Sequence, residues 1–408
     1  MIADLIIKDI PELVTVAGTA PRIGASISDI GIIENGAIAV SEGKFVAVGT
    51  TREVLGNVFC DHVVSAFGCA ILPGFVDPHT HIVFGGDRSN EFEMRLKGAS
   101  YEEIMAAGGG IVSSVKSTRD AGFENLYTQS SIRLRRMIAQ GTTTFEIKSG
   151  YGLSTNSEMV SLMVAKKLAI DHGIIAKTTF LGAHAFPKDM EREDYVNLVG
   201  GEMLDVCRHY ADYIDVFCDK GAFTNEETAQ IVGCAEMPIR LHCDELEDTG
   251  GAKLASDFGA LSADHLIRTS DKGFDALSKS GTVCTFLPGT SFSLGKPFAR
   301  ARHAIEQGCI VALATDRNPG SCTVESMQFV IGLACTKLGM TPAEALVAST
   351  LNAAYSLRLH ETVGSIEVGK RADFVMLDVP SYKFIPYEMT INHVKKTYIA
   401  GKEAKWAN

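Results

Sequence analysis

Apolar runs and helix-compatible stretches alternate along most of this chain. Short apolar or β-branched runs recur at Ala70–Val76, Thr142–Ile147, Ala176–Leu181, Tyr213–Phe217, Ile239–His242, Ala260–Ala263, Thr282–Leu287 and Ile310–Thr315. Buried parallel strands are continuously apolar in this way. Between most of them lie segments of helical character, among them Ser157–Asp171, Glu226–Glu236 and Ser270–Ser280. The second is entered through the capping box Thr224-Asn-Glu-Glu227, whose hydroxyl and carboxylate satisfy free N–H groups reciprocally. Eight strands alternating with helices over about 250 residues predict a (β/α)8 TIM barrel. An open doubly wound sheet is the alternative, but the Gly-x-Gly-x-x-Gly turn that favours it is absent.

The two ends of the chain follow another pattern. Leu5–Ile10, Gly36–Val40 and Lys44–Gly49 read as short strands, the last two joined by a turn at Ser41-Glu-Gly43. Gly364–Val368, Ala372–Asp378 and His393–Ala400 return to β character. We therefore expect a small β-sandwich domain built from residues 1–66 and 367–408, flanking a catalytic barrel over 67–366. Residues 82–141 form an insertion with helices. One is expected from the capping box Ser100-Tyr-Glu-Glu103 to Ala107, stopped at Gly108-Gly-Gly110. After the barrel, Thr341-Pro-Ala-Glu344 opens a helix expected to run through Tyr355.

Composition narrows the function. In 408 residues with 46% hydrophobic content there is a large core, and Lys+Arg 38 against Asp+Glu 49 gives a net charge of −11. That balance, with no basic run, argues against a nucleic-acid partner. No apolar run reaches membrane-spanning length, and Asp4 and Lys8 interrupt any signal-peptide core. Ten scattered cysteines with no Cys-x-x-Cys pair predict free thiols and a cytoplasmic location.

The chemistry concentrates at the ends of the predicted strands, where such a barrel carries its active site. The first strand ends in His79-Thr-His81, and alternate residues of an extended segment face one side. Chance alone supplies roughly 0.3 such pairs in a chain of this histidine content, so the pair needs company. It has it. His184, His242-Cys-Asp-Glu245, Asp264-His265 and Asp316 fall at other strand ends, whereas His62, His172, His209, His303, His360 and His393 do not. His79, His81, His242 and Asp316 supply three imidazoles and a carboxylate, a set suited to one zinc or ferrous/ferric iron ion. Such a metal lowers the pKa of bound water toward about 7, and Glu245 and His265 are placed to handle the protons, so the reaction class is metal-assisted hydrolysis. Lys220 is a weak candidate for a carbamylated bridge between two metals. Arg88 reads equally as a clamp for a substrate carboxylate and as a partner for Glu91. Tyr151 is a substrate contact or a buried core tyrosine. Asn318-Pro-Gly320-Ser321 is an anion-receiving helix entrance or an ordinary turn.

These segments resemble the amidohydrolase superfamily. Within it, Asp77-Pro-His-Thr-His-Ile-Val-Phe-Gly-Gly-Asp-Arg88, Lys148-Ser-Gly-Tyr-Gly-Leu153, His242-Cys-Asp-Glu245, Ser262-Ala-Asp-His-Leu266 and Asn318-Pro-Gly-Ser321 are similar to the branch acting in histidine degradation. The resemblance implies hydrolysis of the cyclic amide 4-imidazolone-5-propanoate to N-formimidoyl-L-glutamate, hydroxide on one Zn2+ or Fe2+/Fe3+ per subunit attacking the ring carbonyl. It assigns the metal to His79, His81, His242 and Asp316, and acid-base work to Glu245 and His265. It assigns the small-molecule substrate to Arg88, Tyr151, His184, Glu245, Asn318, Gly320 and Ser321, and implies a homodimer. Arg317, bulky and charged beside Asp316, departs from the pattern. The nearest rival is a deaminase of the same superfamily acting on a purine or pterin. A scaffold protein that had lost the chemistry would lack ligands, and none is missing.

Overall fold

The computed structural model describes residues 1–99, 103–104 and 108–405. The helix expected from Ser100 to Ala107, with its capping box, lies outside the described residues apart from Glu103 and Ile104. The N-terminal strands are β1 (Leu5–Val14), β2 (Ile32–Ser41), β3 (Lys44–Thr50), β4 (Val63–Ser65) and β5 (Ile71–Pro73). Eight more follow: β6 (Phe75–Asp77), β7 (Thr142–Lys148), β8 (Ile175–Ala183), β9 (Tyr213–Cys218), β10 (Ile239–Cys243), β11 (Ser262–His265), β12 (Val283–Phe286) and β13 (Val311–Leu313). The tail adds β14 (Phe374–Leu377), β15 (Val394–Ile399) and β16 (Lys402–Glu403).

Strands β6 to β13 pair in sequence order, each parallel to the next. The ring is closed just beyond the last strand. Thr80 and Arg317 form a parallel bridge, Asp316 N donates to His79 O at 3.1 Å, and His81 N donates to Arg317 O at 2.9 Å. Below them Thr315 donates through N and Oγ1 to the Asp77 carboxylate at 3.1 and 2.6 Å. This is the (β/α)8 barrel. The second sheet runs β16-β15-β14-β5-β1-β2-β3, with β4 beside β1, so both chain ends contribute to it. It is sealed by Ile7, Ile10, Leu13, Ile38, Phe45 and Phe374, all fully buried.

Three expectations need correction. The run Ala70–Val76 is two strands. Pro73 brings no N–H, and Gly74 N turns to Asp373 O in the terminal sheet while Phe75 N turns to Gly141 O in the barrel. Glycine is required there because a Cβ would lie 2.3 Å from Thr143 Oγ1. The helix from Thr341 has its capping box but ends at Ala348, and a second helix spans Leu351–Ser356. The Ser349 and Thr350 hydroxyls bond back to Leu346 O, and Ser349 O accepts from Val76 N of the barrel. Gly364–Val368 forms no strand; its one sheet-like contact is Ile366 N to Thr15 O at 2.8 Å. In addition, Thr51–Asn57 is a helix entered through a Thr50/Glu53 capping box, within the N-terminal stretch expected to be β. Among the described residues no helix is long and apolar enough to cross a membrane.

Candidate metal centre and active site

The histidines of the first barrel strand stand just past β6, His242 is the fourth residue of β10, and Asp316 follows β13. Barrel closure brings them together. His79 Nε2 lies 3.1 Å from His81 Nε2, which lies 3.4 Å from His242 Nε2. Asp316 Oδ1 is 3.6 Å from His79 Nε2 and 3.5 Å from His81 Nε2. All four side chains are buried.

The far sides of two rings explain this packing. His79 Nδ1 contacts Asp264 Oδ2 at 2.7 Å, and His242 Nδ1 lies 2.9 Å from Asp215 Oδ2. A carboxylate behind Nδ1 holds the ring proton there and leaves the Nε2 lone pair facing the cluster. Burial, with neighbouring positive groups, holds His79 and His81 well below the ordinary histidine value, in the neutral form that ligates metals. For His242 burial pulls the same way, but the Asp215 carboxylate outweighs it and raises the ring. Lone pairs converging without a donor repel one another unless a cation lies between them. Donors about 2.0–2.1 Å from a tetrahedral ion are separated by about 3.3 Å, close to the spacings observed. Two compact triads that share His79 result, His79/His81/Asp316 and His79/His242/His265, and each fits a divalent cation.

Behind it lies a buried ionic network that sequence reasoning missed. Lys148 Nζ is 2.7 Å from Glu146, 2.7 Å from Asp215 and 3.8 Å from Asp264. Arg240 lies 3.6 Å from Asp264 and 3.8 Å from Glu146, and donates to the carbonyls of Pro78 and Ser356. A sequence signal existed: charged residues inside otherwise apolar strands must point inward and pair when the strands are buried on both faces. Two of these carboxylates are the ones that orient His79 and His242.

One cavity of ≈ 480 Å³ is lined by every residue singled out above as ligand, acid-base group or substrate contact except His79, which is fully buried beside it. His265, ending β11, has its ring 5.5 Å from that of His79 and 5.3 Å from that of His242; its Nδ1 is 3.7 Å from Glu245 Oε2. Burial pushes Glu245 up to about 7 and His265 down to about 4. The Glu245 loop is held by a carboxylate at the end of β9: Asp219 accepts the N–H groups of Glu245, Leu246 and Glu247 at 2.7, 2.9 and 3.2 Å. His265 and Asp316 both sit at positive φ, 77° and 55°. Such backbone persists only where the surroundings over-determine it.

On the opposite wall the His184 ring stacks on His81 at 5.1 Å, with Nδ1 3.0 Å from Gly150 O, and Tyr151 stands edge-on to His184 at 5.1 Å. Burial raises the Tyr151 phenol, so it stays protonated. Arg88 pairs with Glu91, Nε donating at 2.8 Å and Nη2 at 2.5 Å, and Glu91 also accepts from Gly110 N. The pairing with Glu91 thus exists, and it leaves Nη1 against Gly320, where a Cβ would be 2.0 Å away. Asn318–Ser321 is a turn: Asn318 Oδ1 accepts from Gly320 N and Ser321 N at 2.8 and 2.7 Å, and Nδ2 donates to Ser321 Oγ. It is not a helix entrance, since the next helix begins at Met327 behind Ser326. Lys220 is exposed and paired with Glu247, away from the cavity lining. Arg317 is buried outside the lining of this cavity, with Nε 2.9 Å from Glu325.

The amidohydrolase family model matches residues 70–404. The imidazolonepropionase of Parabacteroides distasonis is 44% identical over 399 residues, covering 96% of both chains. That of Symbiobacterium thermophilum is 45% identical over 411 residues, covering 98% of this chain and 96% of its own. Among solved structures, an adenosine deaminase from Xanthomonas campestris with bound zinc superposes with a TM-score of 0.73 at 19% identity, covering 98% of this chain and 93% of its own. The guanine deaminase of E. coli gives 0.73 at 17% identity, covering 99% of both. At such identities these two structures speak for the fold alone.

Proposed function

Since the chain belongs to the amidohydrolase family, and within it to the imidazolonepropionases, we propose that it hydrolyses 4-imidazolone-5-propanoate to N-formimidoyl-L-glutamate. The observation that carries the reading is a set of buried donors in two triads that share His79, His79/His81/Asp316 and His79/His242/His265, with Glu245 and Arg88 lining the same cavity. His79, His81, His242 and Asp316 would hold one zinc or iron ion, the metals to which three nitrogens and an oxygen are suited. When bound, such a cation supplies a Lewis acid that makes water nucleophilic at neutral pH.

The protein's own groups do the rest. Arg88 Nη1 receives the propanoate, and Tyr151 and His184 fix the ring between that clamp and the cluster. Asn318, Gly320 and Ser321 close the same side. As water adds to the ring carbonyl carbon, Glu245 takes a proton from it. When the carbon–nitrogen bond breaks, the proton passes to the departing ring nitrogen. His265, beside Glu245, holds that carboxylate in place and faces the oxygen on which negative charge develops. The reading extends to a homodimer in the cytoplasm: the resemblance supports the first, and ten cysteines without a disulfide support the second.

The test is incubation of metal-loaded enzyme with freshly generated 4-imidazolone-5-propanoate, following loss of its ultraviolet absorbance and formation of the formimidoyl product. Ring opening that stops on chelation and returns with zinc or iron is expected. No turnover with metal present, together with ammonia release from a purine, would replace the reading with a deaminase.

A further inference from the structure

Beside the candidate centre lies a second cavity, of ≈ 430 Å³, which shares Arg88 and Gly320 with the first and is otherwise lined by residues the reaction above does not use. Five guanidinium groups line it, those of Arg88, Arg95, Arg133, Arg136 and Arg317. Against them, among the described residues, stand three carboxylates: Asp87 in the lining, Glu91 paired to Arg88, and Glu325. Glu325 is shared, accepting from Arg136 at 2.7 and 2.8 Å and from Arg317 at 2.9 Å. Asp87 is turned to the N–H and hydroxyl of Ser89. Among these described groups positive charge is in excess.

Arg133 carries the argument. It is 7% exposed, donates to the carbonyls of Ile82, Phe84 and Gly86 at 3.0, 2.8 and 3.4 Å, and lies 3.5 Å over the Phe84 ring. Among the described residues no carboxylate lies within ion-pair distance of it. Burial and the neighbouring Arg317 pull its guanidinium down to about 9. A buried cation without an anion is strongly unfavourable, and like charges beside it add to that. An oxyanion in the cavity would remove the imbalance, and planar guanidinium forks suit oxyanions bidentately. The way in is open, because the Arg136 side chain is 57% exposed.

We propose that this cavity is a second anion site, separate from the substrate clamp, in which Arg133, Arg136 and Arg317 bind a small solute carrying two or more negative charges on oxygen. Such charge comes from a phosphate or from a dicarboxylate. Arg88 and Gly320 line both cavities, so occupancy is felt at the substrate site. The site does not depend on which reaction the metal centre performs.

The experiment is calorimetric titration of the metal-loaded enzyme with inorganic phosphate and, separately, glutarate, at ionic strength held constant with sodium chloride. Saturable binding of one anion per chain is expected for at least one probe. Tighter binding of phosphate marks a phosphate ligand, and tighter binding of glutarate a dicarboxylate. Arg136→Gln should weaken it at least fivefold with kcat/KM unchanged in the absence of either anion, and Arg317→Gln at least tenfold. Arg136→Gln alone decides if the second variant does not fold. Heat no greater than that of added chloride overturns the proposal. So does binding of equal strength in wild type and variants, which puts the anion at the metal centre or on Arg88.

Discussion

Gly320→Ala tests the substrate clamp without removing its charge. A Cβ at 320 would lie 2.0 Å from Arg88 Nη1 and 2.8 Å from Cζ. Gly320 is not among the glycines at positive φ, so alanine adds no backbone strain of its own. The effect must pass through Arg88. To restore a 3.0 Å separation the guanidinium has to retreat by about 1 Å. Its two hydrogen bonds to Glu91 oppose that movement. Misplacing a positioning group by about 1 Å costs up to about 10²-fold in rate, and a hydrogen bond to a charged group is worth about 1.5–3 kcal/mol. Both figures place the fall in kcat/KM at about 10–100-fold. Most of it should appear in KM, because the propanoate is remote from the bond that breaks. Steady-state kinetics on the imidazolone, with metal content measured on the same samples, is the assay. In an Arg88→Ala background the alanine at 320 should add less than about twofold, since nothing is left to displace. An unchanged KM in Gly320→Ala, or the same effect with and without Arg88, refutes the clamp.

Arg88→Ala should itself raise KM steeply at unchanged metal content; metal loss would make Arg88 a structural residue. Asp264→Asn should weaken metal binding about 10–100-fold, read by competition with a chelator, because it removes the charge behind His79 Nδ1; unaltered affinity would leave Asp264 a role in the ionic network only. Glu245→Gln should lower kcat by about 10²–10⁴-fold with metal retained. The same variant has a pH signature in the metal-free protein. Burial raises Glu245 from 4.5 to about 7, so across that window the fold holds a proton the unfolded chain has released. The associated stability, about 3 kcal/mol, is present at low pH and lost as pH rises through the window. Thermal unfolding should therefore show Glu245→Gln gaining on the wild type between pH 5 and pH 8, and a constant difference would contradict the burial argument.

Much of the site was legible because its residues sit where a regular pattern ends. The eight apolar runs located the strand ends, and those ends located the histidines and Asp316. What escaped depends on partners distant in sequence. Nothing local in Ala70–Val76 says that Gly74 N bonds to one sheet and Phe75 N to another. The helix from Thr341 breaks because the barrel takes the Ser349 carbonyl, which no propensity records. Glu146, Asp215, Arg240 and Asp264 were visible as charges in apolar strands, but which one stands behind which histidine is fixed only by the register of β7, β9, β10 and β11. The Asn318 side chain satisfies the N–H groups that seemed available to an anion. Residue type alone did not choose between turn and anion site; the hydrogen-bond count did.

The backbone bonds that close the barrel, from Asp316 N to His79 O and from His81 N to Arg317 O, are made by three of the proposed metal ligands and Arg317. The first and last strands are thus joined at the place where the cation would sit. A chain released before Asp316, or one whose seam has sprung open, has no complete donor set. With the proposed ligands, metal content would report the integrity of the whole ring, and a bound ion would work as a clasp whose release frees an edge of the sheet. Substitutions far from the cavity that loosen the seam should be recognised first by a falling metal load and only later by unfolding.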